Sequence, residues 1–335
     1  MLYLVMGGNA FKNVPVNRLT RDIYDIVIEQ VTNLFSDIFN IENIFFLSDK
    51  ESFGDIDLLY NVKDINDFRP MKEIIKSKYD TDNIIVNGVL TSILYSYEDN
   101  YYQIDFIKSR NFKMAQFYLS YGVTGHIIGI MSCRNNIKFS PEGISLQVYG
   151  RLLNEYSNNE LKCCDEQIYD NILLVNDPIS VSEFFGFDYE RWIKGFKCND
   201  ELFAWICSST LFSPKYYKRN GESDQLVVFE KYIENIECKP SVDYYKELCL
   251  NYFDKTSVVM QLVDELKEKQ KFKEKFNAHL IMNKGIKGPI TIGKCMKFLK
   301  PKHDDFELWV KNNDKEHIET VCNAYIDEFI NLPLI

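Results

Sequence analysis

The sequence predicts an α+β fold, in which a mixed sheet with helices on one face is followed by a mainly helical C-terminal part. Residues 20–40 repeat their apolar side chains at helical spacing. Short β-prone runs bounded by turn residues then occupy much of residues 43–107, and from residue 177 onward the apolar spacing is again helical. The 335 residues are enough for two or three domains with sizeable cores.

The elements can be assigned in order from these patterns. Asn17 or Thr20 can cap the first helix, because their side-chain oxygens accept hydrogen bonds from its first N–H groups. Pro70 fits the first turn of a second helix, where its missing N–H costs nothing. The predicted strands lie at residues 43–47, 55–60, 84–86, 91–97, 101–107 and 144–149, and the predicted helices at residues 20–40, 67–79, 112–119 and 124–134.

Two polar segments divide the chain. Residues 154–165 interrupt the apolar pattern. Residues 214–223 are basic and aromatic, and they are either a surface that stacks on a nucleic-acid strand or an exposed loop. The predicted domains are a sheet-containing domain at residues 1–155, a mainly helical region at residues 156–225 and a helical domain at residues 226–335.

The composition limits the classes of protein that fit. A net charge of −10 does not favour non-specific binding of nucleic acid by the molecule as a whole. The nine cysteines contain no C-x-x-C pair and no zinc-finger spacing, so we expect reduced thiols in the cytoplasm or nucleus. No run of 18 apolar residues is present, and no membrane partner is expected.

Two carboxylates are predicted to share one face of a strand. Asp55 and Asp57 follow a turn at residues 48–54 and alternate with the apolar Ile56 and Leu58. Two neighbouring carboxylates repel each other, and a divalent cation removes that cost. Mg²⁺ suits a site built from carboxylates and substrate phosphates.

A third carboxylate lies on another β-prone run at residues 101–107. Asp105 stands between Ile104 and Phe106, and an acidic side chain among apolar neighbours is costly to bury without a partner. If the two strands are adjacent, Asp55, Asp57 and Asp105 converge. Three converging carboxylates suit a site for two metal ions.

These residues resemble the catalytic pattern of the DNA polymerase β-like nucleotidyltransferase superfamily, in its family-X DNA polymerase branch. The similar segments are ESFGDIDLL at residues 51–59, QIDF at 103–106, YGVTG at 121–125, SPEGI at 140–144 and SEFFGFDY at 182–189. The resemblance covers about residues 40–195. It implies a palm-like domain at residues 1–155, a thumb-like region at residues 156–225, and catalysis by Asp55, Asp57 and Asp105 with two Mg²⁺ or Mn²⁺ ions.

The implied reaction is nucleotidyl transfer. A hydroxyl, such as the 3′ end of DNA or RNA, would attack the α-phosphate of a nucleoside triphosphate, and pyrophosphate would leave. Asp55 and Asp57 would bridge both ions, and Asp105 would bind the ion that lowers the pKa of the attacking hydroxyl. The resemblance also implies that Tyr121, Thr124 and Gly125 form a turn that contacts the sugar.

The triphosphate turn departs from the family pattern. A Gly-Ser pair usually precedes the first aspartate by about ten residues, whereas this chain has NIFFLS at residues 43–48. Either Leu47 and Ser48 bind the triphosphate from a shortened turn, or the triphosphate is bound in a different way. The candidate nucleotide contacts are Ser48, Lys50, Ser52, Gly54 and Arg134; Gly54 and Ser52 would shape the turn for close phosphate approach.

Residues 255–302 form a lysine-rich segment, with 12 lysines against four acidic residues and hence a net charge of +8. Its Gly288-Pro289 pair is typical of a helix start with free N–H groups, which suits a phosphate. The segment is either a nucleic-acid-binding surface or a solvated pair of helices. The candidate nucleic-acid contacts are Lys284, Lys287, Gly288, Lys294 and Lys297.

The sequence also fits two other functions. The missing Gly-Ser pair also fits a catalytically degenerate palm that serves as a nucleic-acid-binding or scaffold protein. Transfer of a nucleotide to a protein or small molecule is a third function, and it would leave the lysine-rich segment unused.

Overall fold

The computed structural model describes residues 10–64, 66–67, 69–133, 136–219, 221, 223–236 and 245–332. The chain forms two compact units, each assembled from two segments. The first unit is Met1–Gln147 with Asn171–Phe253, and the second is Val148–Asp170 with Asp254–Ile335. The three domains inferred from the sequence stay a prediction.

Strands predominate in the first half of the chain and helices in the second. The strands among the described residues are β1 (Leu19–Thr20), β2 (Phe39–Asn43), β3 (Ser52–Phe53), β4 (Asp55–Val62), β5 (Ile84–Asn87), β6 (Leu90–Tyr97), β7 (Asn100–Lys108), β8 (Ile137–Ser140), β9 (Gly143–Tyr149) and β10 (Ile168–Val175). The α-helices are α1 (Arg21–Phe35), α2 (Met71–Lys76), α3 (Phe112–Leu119), α4 (Thr124–Cys133), α5 (Gly150–Tyr156), α6 (Pro178–Phe185), α7 (Tyr189–Lys194), α8 (Asn199–Ser208), α9 (Asp224–Ile233), α10 (Tyr245–Tyr252), α11 (Thr256–Lys275), α12 (Ala278–Met282), α13 (Pro289–Leu299), α14 (Phe306–Asn312) and α15 (Lys315–Ile330).

The largest sheet has five strands in the order β2-β4-β7-β6-β5. The β4 and β7 strands are parallel, and the other three pairings are antiparallel. Two smaller sheets have the orders β1-β3 and β10-β9-β8. The mixed sheet and the helices that follow it confirm the predicted α+β fold class.

The main core lies between α1 and the five-stranded sheet. Val27, Val31 and Phe35 of α1 are fully buried together with apolar residues of β4 and β7 such as Ile56 and Phe106. A smaller cluster packs Leu59 of β4 and its neighbours against α3. Because successive side chains of a strand point to opposite faces, both faces of β4 are anchored and its aspartates have fixed positions.

The predicted strand at residues 43–47 is wrong by several residues. The strand β2 ends at Asn43, where its pairing with β4 stops. The next residues leave the sheet and pair elsewhere: the Phe45 N–H donates to the Ser120 hydroxyl at 2.9 Å, and the Phe45 carbonyl accepts from the Tyr121 N–H at 2.7 Å. The apolar run at residues 44–47 is therefore a connecting segment with other backbone partners.

The first two helices are shorter than predicted. The helix α1 ends at Phe35, because the chain must turn before Phe39 enters the sheet. The helix α2 begins only at Met71, because the Asp67 carboxylate accepts the Arg69 N–H at 3.1 Å and holds these residues in a turn.

The second unit has a separate helical core. Apolar residues of α12, α13, α14 and α15 form one cluster, in which Ile281, Leu299, Val310 and Ile326 are fully buried. In the same unit α5 packs against α11, and Lys267 of α11 pairs with Glu160. No described helix is both long and apolar enough to span a membrane.

Candidate functional site

The site is built on the two parallel strands β4 and β7. In their register Asp57 lies beside Asp105, and Asp55 lies beside Gln103. Asp55, Asp57 and Asp105 therefore share one face of the sheet. An oxygen of each carboxylate lies within 4.8 Å of an oxygen of the other two, and we call these three residues the carboxylate cluster.

Burial and mutual repulsion make the cluster costly to ionise. Burial is the main cause that raises the pKa of Asp105 to about 6, and the charge of Asp55 adds to it. Burial also raises the pKa of Asp57 well above its usual value, with further contributions from Asp55 and Asp105. Hydrogen bonds from Ser92 and Gln103 to Asp105 oppose part of this shift.

The cluster is chemically suited to a hard divalent cation. Its donors are carboxylate oxygens close enough to bind a common ion, and a cation would relieve the repulsion that raises the pKa values of Asp57 and Asp105. Oxygen ligands favour Mg²⁺ or Mn²⁺ over the softer metals. The residues present therefore fit the ions that the sequence predicts.

The start of the turn before β4 is fixed by two backbone hydrogen bonds. The Ser48 N–H donates to the Phe196 carbonyl at 3.0 Å, and the Asp49 N–H donates to the Lys197 carbonyl at 3.0 Å. The Lys50 ammonium lies 4.7 Å from the centre of the Phe53 ring. Partial loss of water lowers the pKa of Lys50, while the charges of Asp55 and Asp57 raise it, so this ammonium lies within electrostatic range of the cluster.

Arg18 also borders this turn, and sequence analysis missed it. Its Nε donates to the Ser52 hydroxyl at 2.9 Å, and its Nη2 donates to the Ser52 carbonyl at 3.3 Å. The contact arises because β1 pairs with β3, which places Thr20 opposite Ser52. A two-residue strand leaves no periodic pattern in the sequence, so no local signal identified Arg18. We call Arg18 and Lys50 the basic pair.

The segment in place of the usual Gly-Ser pair is packed into the protein. Ile44 contacts the cluster of Leu59 and α3. The Phe45 ring lies 5.2 Å from the ring of Trp192. These side chains form apolar contacts at the position where the resembled family places its phosphate turn.

The residues of the predicted sugar-contacting turn have internal partners. Tyr121 is 3% exposed, and its hydroxyl donates to the Trp192 carbonyl at 3.0 Å. The buried Thr124 hydroxyl donates to the Tyr121 carbonyl at 3.2 Å, and Gly125 lies against Tyr118. The side chain of Gln225 also fills this turn and accepts the Val123 N–H at 3.1 Å. A sugar contact by these residues stays a prediction, and Arg134 lies outside the described residues.

The candidate nucleic-acid contacts lie in the second unit. Lys287 and Gly288 are exposed just before α13, Lys294 is exposed within it and Lys297 in its last turn, whereas Lys284 pairs with Asp327 at 2.8 Å. Other lysines of the lysine-rich segment are also engaged: Lys302 pairs with Glu328, and Lys275 donates to carbonyls at the end of α14. Ion pairs with acidic residues outside the segment thus offset part of its charge.

The comparisons with known proteins give limited similarity. No model of a protein family matches this chain, and no curated protein does. Among solved structures, the chain is similar to polymerase beta of Leishmania infantum in a ternary gap complex, with a TM-score of 0.38 and 9% sequence identity. The match covers 52% of this chain and 69% of that chain.

Proposed function

We propose that this chain is a metal-dependent nucleotidyltransferase. It would transfer a nucleoside monophosphate from an NTP or dNTP to a hydroxyl, with release of pyrophosphate. The observation that supports the proposal is the carboxylate cluster: three carboxylates from two adjacent parallel strands, with oxygens within 4.8 Å of one another. This is the donor arrangement that in-line phosphoryl transfer requires.

The three carboxylates would have unequal roles. Asp55 and Asp57 would hold both of two Mg²⁺ or Mn²⁺ ions, and Asp105 would hold one. Such ions lower the pKa of the attacking hydroxyl and neutralise charge on the leaving pyrophosphate. The packing of Ile56 and Leu58 under α1 fixes β4, so Asp55 and Asp57 would meet the ions with little rearrangement.

The turn at residues 48–54 would bind the triphosphate. Arg18 and Lys50 form no ion pair with another residue that the structure describes, so they can meet an anionic ligand. Ser48 and Ser52 are exposed on the same turn and would add hydroxyl donors to the β- and γ-phosphates. This arrangement would replace the Gly-Ser pair, whose place is taken by the apolar contacts of the partly buried Ile44 and Phe45.

The acceptor would be the end of a DNA or RNA strand. The exposed Lys287, Lys294 and Lys297, with the open start of α13, supply the positive charge and free N–H groups that phosphates favour. The alternative is a binding protein on a degenerate palm. The apolar packing of Ile44 and Phe45 favours that alternative, because it removes the usual phosphate turn.

A transfer assay tests the proposal. The protein is incubated with labelled DNA or RNA primers, each nucleotide and Mg²⁺ or Mn²⁺. We expect extension by the wild-type protein and none by Asp57→Asn, because an amide cannot replace a carboxylate that bridges two cations. Asp80→Asn, at an exposed position remote from the cluster in sequence, is the matched control and should retain activity.

The other results of the transfer assay distinguish between the alternative functions. Full turnover by Asp57→Asn would overturn the two-metal proposal. Binding of primer by the wild-type protein without extension, and without metal-dependent binding of nucleotide, would favour the degenerate palm. Transfer to a protein or small molecule in place of a primer would support nucleotidyl transfer but reject the nucleic-acid acceptor.

A further inference from the structure

A buried glutamine holds one member of the carboxylate cluster. Gln103 is 2% exposed and lies two residues before Asp105 on β7, so the two side chains point to the same face of the sheet. The Gln103 Nε2 lies 3.0 Å from each of the two carboxylate oxygens of Asp105. Its neighbour in the parallel register is Asp55. Gln103 therefore stands within the cluster without being one of its carboxylates.

A second hydrogen bond fixes the orientation of this amide. The Ala10 N–H lies 3.0 Å from the Gln103 Oε1. A backbone N–H can only donate, so the amide oxygen must face Ala10 and the NH₂ group must face Asp105. A flipped amide would place two donors against each other at one end and an oxygen against a carboxylate at the other. The orientation of the Gln103 amide therefore follows from which of its partners can donate and which can accept.

The neutrality of this donor matters for a cation site. A lysine or arginine at position 103 would also hold the Asp105 carboxylate, but its positive charge would repel a divalent ion. An amide holds the carboxylate by hydrogen bonds and leaves the negative charge of the cluster intact. The hydroxyl of Ser92, which lies opposite Asp105 on β6, is a second neutral donor to the same carboxylate.

We infer that Gln103 is a positioning residue, which holds the Asp105 carboxylate toward Asp55 and Asp57 in the orientation that receives a divalent cation. The inference rests on the proposed function, because it takes the cluster as the metal site. Residues that orient a metal ligand commonly contribute about 10- to 100-fold to metal affinity. Loss of the Gln103 amide should therefore weaken cation binding while the strand itself is kept.

The test measures binding of Mn²⁺ alone by calorimetry and by the electron paramagnetic resonance signal of the free ion. The variants are Gln103→Met, which keeps the volume of the side chain, and Gln103→Ala, which does not. Gln116→Met is the matched control, because the Gln116 amide donates to the Asn43 carbonyl and not to a carboxylate. Thermal unfolding of each variant in a chelator reports whether the fold is retained.

We expect both Gln103 variants to bind Mn²⁺ at least about tenfold more weakly than the wild type, and Gln116→Met to bind as the wild type does. A purely structural role would change the unfolding temperature in chelator and leave the Mn²⁺ affinity unchanged, which would overturn the inference alone. If the wild type binds no Mn²⁺, both the inference and the proposed function are overturned. If only Gln103→Ala fails to fold, Gln103→Met decides the outcome.

Discussion

Asp105 lies at a position where ionisation of its carboxylate is energetically costly. It is 3% exposed and lies beside two other carboxylates, and its pKa of about 6 is above the usual value of 3.8. In the metal-free protein, the folded state therefore binds a proton more tightly than the unfolded chain does. The penalty for ionising Asp105 is absent below about pH 3.8, grows as the pH rises and is fully present above pH 6.

The first prediction concerns Asp105→Asn in a chelator. An amide carries no charge, so the variant should be more stable than the wild type by about 1–3 kcal/mol at pH 7.5 and by much less at pH 4. Urea unfolding at both pH values measures the two differences. Asp80→Asn is the control and should give no such trend. Equal unfolding free energies for wild type and Asp105→Asn at pH 7.5 would contradict the prediction.

Arg18 is the clearest example of a site residue that the sequence alone could not identify. Its role depends on a two-residue strand that brings its guanidinium to Ser52, 34 positions away along the chain. In contrast, Asp55, Asp57 and Asp105 were identifiable because alternation on a β-prone run fixes which side chains share a face. Gln103 was visible as a residue of the motif, but its contact with Asp105 depends on the burial that only the fold supplies.

The second prediction is that Arg18→Ala weakens nucleotide binding more than it slows the reaction. A hydrogen bond to a charged group contributes roughly 1.5–3 kcal/mol, so the dissociation constant for a nucleoside triphosphate with Mg²⁺ should rise by about ten- to a hundredfold. Calorimetry measures the constant, and single-turnover kinetics measures the rate. Arg69→Ala, whose guanidinium pairs with Asp67, is the control. Unchanged affinity in Arg18→Ala would exclude Arg18 from the phosphate contacts.

At the scale of elements, local patterns were reliable where one periodicity decided the outcome. The helix at residues 112–119 matches α3 in both ends, and the strand at residues 91–97 lies within β6. The ends of α1 and β2 depend instead on where Phe39 pairs across the sheet, which is a long-range contact. The parallel register of β4 and β7, which brings the aspartates together, is likewise invisible in either segment alone.

The third prediction concerns the contact between α3 and α4. A Cβ added at Gly125 would lie 2.2 Å from the backbone carbonyl oxygen of Tyr118, so Gly125→Ala must push the helices apart. We expect a loss of about 1–3 kcal/mol in the free energy of unfolding. Gly129→Ala in the same helix meets no atom within 4 Å and should stabilise by up to about 1 kcal/mol. Urea unfolding compares the two, and equal effects would contradict this account.

The whole molecule has an uneven distribution of charge. The net charge is −10, although the lysine-rich segment carries +8. Composition alone predicted this contrast. It could not predict that Asp327 and Glu328 of α15 would pair with Lys284 and Lys302 and reduce the free positive charge. The exposed lysines just before and along α13 are therefore the more informative test of nucleic-acid binding.

The fourth prediction follows for the salt dependence of that binding. Each phosphate neutralised by a lysine contributes about 0.7–0.9 to the slope of log affinity against log salt. Changing Lys287, Lys294 and Lys297 together to Gln should reduce the slope by up to about 2–3. The same change at Lys72, Lys76 and Lys78, in or beside α2, is the control. Fluorescence anisotropy with a labelled single strand measures the slope for both triple variants. An unchanged slope in the variant of Lys287, Lys294 and Lys297 would indicate that the lysine-rich segment is a solvated surface.

The discontinuous second unit has a consequence during synthesis on the ribosome. Its first segment ends at Asp170, and its second begins at Asp254. At about 5–20 residues per second, the ribosome needs roughly 4–17 s to add the residues between them. During this interval Leu152 and Leu153 of α5, which are fully buried in the finished protein, have no α11 to cover them. The nascent chain would therefore present an uncovered pair of leucines on α5, to which a chaperone would have access before α11 is made.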